Sequence, residues 1–228
     1  MHPFFLFENL NSLVQPFSDV SPYYRPFILH GEPTQIDLFL VGINPATSVY
    51  FSDGVDSCKW IETLLNHQLY HKRYSSNGPT RKGIQGLLNY VKIHYSNSIL
   101  ETNINTYPTD KAKYLKTPSI QKAVIEGEYR FIKVLVAHEP SLIILHGQYT
   151  TKHFINLLEK NQWITRRSVK KGMPIKYREQ QFPHFTFSYP SGKKGNVFAC
   201  RHLMYFHKGN SYQDFLNGIT PFLKKDLL

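Results

Sequence analysis

The sequence predicts an α/β fold, a three-layer sandwich with a mostly parallel four-stranded central sheet flanked by helices. Three observations carry that expectation. Short, near-continuous apolar runs, Ile36–Ile43 and Ser141–His146 above all, suit strands buried on both faces. Segments with apolar residues at helical spacing lie between them. Turn chemistry closes each run: Asn44-Pro45, Gly147, and Pro190-Ser191-Gly192. The 228 residues are 41% hydrophobic, with 16 Phe and 15 Tyr, so the chain can bury a full core and general disorder is excluded. A single domain over residues 1–228 is expected, opening with an irregular arm over 1–35.

That arm is rich in Pro and aromatics, with a short helix predicted at Phe7 to Val14. Ile36–Ile43 is the first buried strand. A polar loop follows, and Asp56 or Ser57 caps a helix carrying Trp60, Ile61, Leu64, Leu65 and Leu69. His71 to Gly83 reads as loop, Ile84 to Tyr95 as an amphipathic helix, and Ser98–Asn105 as a strand. Ser119 caps a long helix bearing Val124, Phe131, Leu135 and Val136. Ser141–His146 is the third strand, and Thr150 or Thr151 opens the helix after it. His184–Tyr189 alternates and reads as the fourth strand. The final helix is predicted from Tyr212 to Lys225, kinked or broken at Pro221.

Lys and Arg total 27 and Asp and Glu total 16, a formal net charge of 27 − 16 = +11. An excess of that size favours polyanions through counterion release, nucleic acid first and an anionic membrane surface second. No apolar run is long enough for a membrane span. The first 13 residues lack a basic n-region and a small-residue cleavage site, so no signal peptide is expected. Two cysteines, Cys58 and Cys200, cannot build a disulfide framework or a four-thiolate cluster, and they fit reduced thiols in a cytoplasmic protein. His67 and His71 lie four apart, but a metal site needs more ligands than these. The His-X-Glu and Pro-Cys-X-X-Cys pattern of zinc deaminases is absent, as is a Walker-type phosphate loop.

In open α/β sheets ligands bind beyond the carboxyl ends of the strands. In the predicted sheet that edge collects Asn44-Pro45, Asn103 to Tyr107, His146-Gly147 and Tyr189–Gly192. Two of these segments, Val41-Gly-Ile-Asn-Pro-Ala46 and Tyr189-Pro-Ser-Gly192, resemble the two signature motifs of the uracil-DNA glycosylase superfamily. The likeness is closest to the mismatch-specific, double-strand uracil branch, which has Gly-Ile-Asn-Pro-Gly and Asn-Pro-Ser-Gly. Glu101-Thr-Asn-Ile104 and Leu142–Gly147 sit where that family places its second and third strands, and the Trp60 helix resembles the one after its first motif. The resemblance runs in order from about residue 36 to 200 and is strong in short blocks.

The resemblance implies hydrolysis of the N-glycosidic bond of a flipped-out pyrimidine in DNA, without metal or cofactor, leaving an abasic site. Such chemistry flips and stacks the base, steadies the leaving anion with fixed dipoles and places one water. Asn44 matches the water-placing position; an amide orients water but does not titrate as a base. Ala46 stands where stringent uracil enzymes of the family carry Tyr, which opens the C5 side to 5-substituted pyrimidines such as hypermodified phage cytosine. Phe51, with Tyr50 as rival, matches the stacking aromatic. Asn103, with Asn105 as runner-up, matches the residue that reads the base edge, and His146 faces the pocket. Tyr189 departs from the family's His or Asn; its phenol can donate to O2 of the leaving base. Ser191, Gly192, Lys193 and Lys194 suit phosphate, although Lys193–Val197 offers no apolar wedge. The partner is DNA, in repair or antiphage defence, with no membrane and no obligate protein partner.

Each residue also has a plainer role. Asn44 can cap a strand end, Ala46 can pack tightly after Pro45, Asn103 can bond backbone, and His146 can be structural. The basic stretch Trp163 to Arg178 can be a solvated face, and no spacing singles out Asp53 or Asp56 as helpers of the water. Two other classes therefore stay open: a non-catalytic DNA-binding or modified-base-sensing protein on the same fold, and a nucleotide-binding or nucleotide-hydrolysing enzyme unrelated to DNA.

Overall fold

A computed structural model describes residues 2–74, 78–165, 169, 172–206 and 212–223. In chain order the elements are α1 (Phe7–Val14), β1 (Ile28–His30), β2 (Leu38–Gly42), α2 (Ser57–Leu65), α3 (His67–Tyr74), α4 (Pro79–His94) and β3 (Ile99–Asn103). Then follow α5 (Gln121–His138), β4 (Leu142–His146), α6 (Gln148–Lys160), α7 (Ile175–Arg178), β5 (Phe185–Ser188), β6 (Lys194–Cys200) and α8 (Gln213–Leu223). The chain is α/β, and it divides into two compact units: residues 1–75 with 98–139, and residues 76–97 with 140–228. No helix among the described residues is long and apolar enough to cross a membrane.

In the first unit the strand order is β1-β3-β2. β2 and β3 are parallel, with Gly42 opposite Asn103, and β1 runs antiparallel to β3. All five residues of both β2 and β3 are buried, which is why β2 reads as an unbroken apolar run. Glu101 on β3 is also buried and takes His30 of β1 as its partner at 3.3 Å. The N-terminal arm is pinned rather than loose. Arg130 of α5 donates to the carbonyls of Leu13 and Gln15 at 2.8 and 2.7 Å, pairs with Glu126, and lies 3.7 Å over the Tyr24 ring. Trp60 Nε1 donates to the Tyr24 carbonyl at 2.9 Å. Gly127 lets α5 pass close to the chain after β3: a Cβ there would stand 2.5 Å from Asn105 Oδ1 and 3.0 Å from Tyr107 N.

In the second unit the order is β4-β6-β5. β4 and β6 are parallel, with His146 opposite Cys200, whereas β5 is antiparallel to β6. α4 and α8 pack against each other, and α4 also packs on the turn at Leu203–Tyr205.

The sequence predicts four mostly parallel strands; six are described, two of them antiparallel. β1 lies inside the supposedly irregular arm. β6 went unread because lysines and glycines mask its start, and the strand predicted at the end of the sheet is β5, its antiparallel neighbour. The Trp60 helix is two helices broken at Asn66, whose Oδ1 caps α3 by accepting from Gln68 and Leu69 N–H at 3.0 and 3.1 Å. α3 therefore runs through residues predicted as loop, and α4 starts at Pro79, a favoured first helical position. Ser119 does not cap α5; it sits in a preceding 3-10 turn. α6 opens at Gln148, before the predicted threonines. α8 continues through Pro221 to Leu223.

His138, at the end of α5, is buried among Phe4, Phe5 and Phe39, with ring centroids 4.6, 5.3 and 5.9 Å away. Its Nδ1 accepts from Ile36 N–H at 3.4 Å. Burial, helped by the charge of His2, pushes its pKa down to about 3 from the usual 6.5. The unfolded chain therefore binds a proton, between pH 6.5 and about 3, that the folded chain refuses. Stability is complete above pH 6.5 and falls as the pH drops through this window, by about 2 kcal/mol from this group between pH 7 and 5. His184 is lowered to about 4 by burial and by Arg178, with the same sign. His138→Asn keeps an acceptor for Ile36 and does not titrate, so urea unfolding at pH 7 and pH 5 should differ less for it than for wild type. An undiminished difference would show that another group carries the acid sensitivity.

Candidate functional site

In the first unit the hydrogen-bond ladder continues past the strand ends. Ile104 N–H donates to Gly42 at 3.0 Å, Asn105 N–H to Ile43 at 2.9 Å, and Thr109 N–H to Pro45 at 3.0 Å. The first motif and the chain after β3 are thus laced together. Asn44 sits in this lacing. Its Nδ2 donates to the Thr109 carbonyl at 2.7 Å and to Thr109 Oγ1 at 2.8 Å, with a longer contact to the Pro45 carbonyl at 3.3 Å. A carbonyl can only accept, so the NH2 side must face Thr109 and the amide has one orientation. Thr109 Oγ1 in turn donates a hydrogen bond to the Lys111 carbonyl at 3.3 Å. Asn44 Oδ1 is left with no donor among the described residues, on a half-buried side chain. It is an acceptor held at a fixed point, the property needed to position water.

Asn103 ends β3 opposite Gly42. It is only 6% exposed, yet its amide has no hydrogen-bond partner among the described residues, and neither amide atom is sealed from solvent. Asn105 is different: Nδ2 donates to Val124 at 3.4 Å and Oδ1 accepts from Tyr107 N–H at 2.9 Å. Of the two amides considered from sequence, Asn105 is committed to the fold and Asn103 is available. The structure brings Asn44 and Asn103 to adjacent strand ends. Ala46 and Tyr50 are exposed, and Phe51 is 67% exposed. Phe51 opens a 3-10 turn closed by Tyr50 N–H to Asp53 Oδ2 at 2.8 Å and Gly54 N–H to Phe51 O at 3.0 Å, with Gly54 at φ 75°. Asp53 and Asp56 both act as caps, Asp56 accepting from Lys59 N–H at 2.8 Å.

The second unit separates what the sequence groups together. β4 and β6 point the same way, so His146 lies at their carboxyl edge. β5 runs against them, and the turn after it, Tyr189–Lys193, lies at the amino end of β6. The Tyr189-Pro-Ser-Gly192 motif therefore sits on the opposite sheet edge from His146. Tyr189 is buried, meets the Phe187 and Trp163 rings edge-on (centroids 4.7 and 5.8 Å), and donates its hydroxyl to the Pro140 carbonyl at 2.9 Å. Its hydroxyl is thus bonded within the fold. Gly195 lets the hairpin's rings pack closely, since a Cβ would stand 2.7 Å from the Phe187 ring and push it aside. Ser191, Gly192, Lys193 and Lys194 are exposed on the turn, with Ser191 Oγ accepting from Lys193 N–H at 3.1 Å and Gly192 at φ 89°.

The residue that does end β6 on the His146 side is His202, two past Cys200, which sequence reasoning missed. The rings of His146 and His202 are 5.4 Å apart and nearly perpendicular. His202 Nδ1 accepts from Met204 N–H at 3.3 Å, which puts the ring proton on Nε2. Burial lowers its pKa, so the ring is a neutral N–H donor. The legible signal was Gly192-Lys-Lys-Gly195, a hairpin turn that announces one more strand ending in Cys200-Arg201-His202.

Of the basic stretch, Arg166, Arg167, Lys170 and Lys171 lie outside the described residues. Arg178 is fully buried and donates Nε to Met173 O at 2.8 Å, so it is a core cation and not part of a solvated face. His67 and His71 flank the His30 ring at 4.7 and 6.2 Å. No group of three or more His, Cys, Asp or Glu that could hold a metal ion is found among the described residues. A scan against protein-family models returns no match, and neither does a search of curated proteins.

Proposed function

We infer that the protein is a DNA glycosylase that hydrolyses the N-glycosidic bond of an extruded pyrimidine. The observation that carries this reading is the amide pair at the ends of β2 and β3. Asn44 is turned by Thr109 so that Oδ1 faces away as a free acceptor, and Asn103 is nearly buried with its amide unspent. An oriented acceptor places water, and an unspent amide reads a base edge by one donor and one acceptor. The reaction needs neither metal nor cofactor. The exposed Ala46 side chain is too small to exclude a substituent at C5, so the substrate class is uracil or a 5-substituted pyrimidine, in repair or in defence against modified phage DNA.

A specific observation favours a second reading, a non-catalytic sensor of modified bases on the same fold: the hydroxyl of the second motif's Tyr189 is spent on Pro140. One assay separates the two. Oligonucleotides carrying uracil, mismatched thymine or 5-hydroxymethylcytosine, single-stranded and duplex, are incubated with the protein and treated with alkali. Strand breakage at the target base supports the glycosylase; Asn103→Ala should then slow it about 10²-fold and Tyr189→Phe should leave it unchanged. Binding without breakage on every substrate supports the sensor.

A further inference from the structure

Thr109 links Asn44 to a second feature. Four lysines and one aspartate lie between Thr109 and Ala123. Three of the lysines, Lys111, Lys113 and Lys116, bracket a 3-10 turn at Ala112–Lys116, and all three are exposed. None has a carboxylate partner among the described residues. The turn is firm: Tyr114 N–H donates to Lys111 O and Thr117 N–H to Tyr114 O, both at 2.9 Å, while Leu115 is buried beneath it. Tyr114 is 42% exposed, with Lys113 Nζ 5.2 Å from its ring centroid. Lysines with no carboxylate partner can take phosphates and release their counterions, and an exposed ring beside them is a stacking surface that any base can use.

We propose that Lys111, Lys113, Tyr114 and Lys116 form a track for single-stranded nucleic acid that leads to Asn44. Five residues at the 3-10 rise of about 2.0 Å span about 10 Å. A single strand is the partner because Tyr114 offers a ring face, which a paired, stacked base cannot reach. The two ends of the track are fixed differently. Thr109 holds Asn44 on one side, and Leu115 anchors the turn on the other. A strand lying along the lysines is therefore delivered to the amide without rearrangement of the loop. The assignment concerns strand binding and stands whether or not a base is released.

The test is fluorescence anisotropy with a labelled oligo(dT) and a duplex of equal length, over a range of salt concentrations. The triple variant Lys111→Gln, Lys113→Gln, Lys116→Gln should bind oligo(dT) about tenfold more weakly at 0.1 M salt. Its slope of log K against log salt should be shallower by about 2, three phosphates at about 0.7 each. Tyr114→Ala should cost about tenfold with the slope unchanged. Neutralising Lys92, Lys152 and Lys160, exposed on α4 and α6, removes the same total charge and should cost much less. Melting curves establish that each variant folds, and Lys113→Gln alone serves if the triple does not. The proposal is overturned by no binding to wild type, by equal losses in the two triples, or by an equal loss on duplex.

Discussion

Asn44→Ala is expected to lower base release by about 10²–10³-fold, the usual scale for removing one oriented group from a transition state. Stability should change by only about 1 kcal/mol, because the lost contacts are two hydrogen bonds on a half-buried side chain. The conservative change is expected to be as informative. Asn44→Asp places an oxygen where the NH2 now faces the Thr109 carbonyl at 2.7 Å. Two acceptors at that distance repel, so the carboxylate must turn away and the loop loses its lacing. Asp is thus expected to fail as a structural replacement even though it is the stronger base. Thr109→Val removes Oγ1 and keeps the carbonyl, so it should cost release less than tenfold. Rates on a cleavable oligonucleotide, read beside melting curves, check all three. Release that survives Asn44→Ala would remove this residue from the chemistry.

Gly83→Ala should reverse the usual sign of a helix substitution. At an exposed helical site Gly to Ala gains up to about 1 kcal/mol. Gly83 lies where α4 crosses the Leu203–Tyr205 turn, and a Cβ would stand 1.8 Å from the Leu203 carbonyl oxygen and 2.6 Å from its carbon. These are backbone atoms, so no rotamer change relieves the clash and the helix must lift. A loss of about 3 kcal/mol or more is expected, at the upper end of overpacking costs. Asn89→Ala, exposed on the same helix, is the control and should be neutral or slightly stabilising. Equal unfolding midpoints for Gly83→Ala and wild type would mean that this crossing is looser than described. Leu203 follows His202 directly, so the same variant should disturb that imidazole as well.

The elements that could be read from sequence are those whose burial leaves a one-dimensional trace. β2 and β4 are buried on both faces and appear as apolar runs; α1 shows its period; Asp56 announces the start of α2. What could not be read depends on pairing. Strand direction leaves no mark on composition, so β5 passes for a parallel strand, and with it Tyr189 and its turn move to the wrong edge. Three-residue β1 is too short for a pattern, and it exists because β3 supplies its partner. Asn44 and Asn103 were legible because strand ends collect polar residues, but only the bonds to Val124 and Tyr107 separate Asn105 from Asn103. His202 goes unseen for the same reason, because it follows the strand that pairs with β5.

The grip on Asn44 comes mainly from a main-chain oxygen, and main chain is not what mutation edits. Drift at position 109 can alter the side chain and still leave the anchor in place. What descent must preserve is the course of the backbone from Asn105 to Thr109, and that course is hemmed in by a helix with no room for a single methyl at Gly127. Selection for an unchanged placement of this amide would thus be felt as constancy at a glycine far from it in sequence, and a comparison of descendants would mark that glycine for reasons its own chemistry does not suggest.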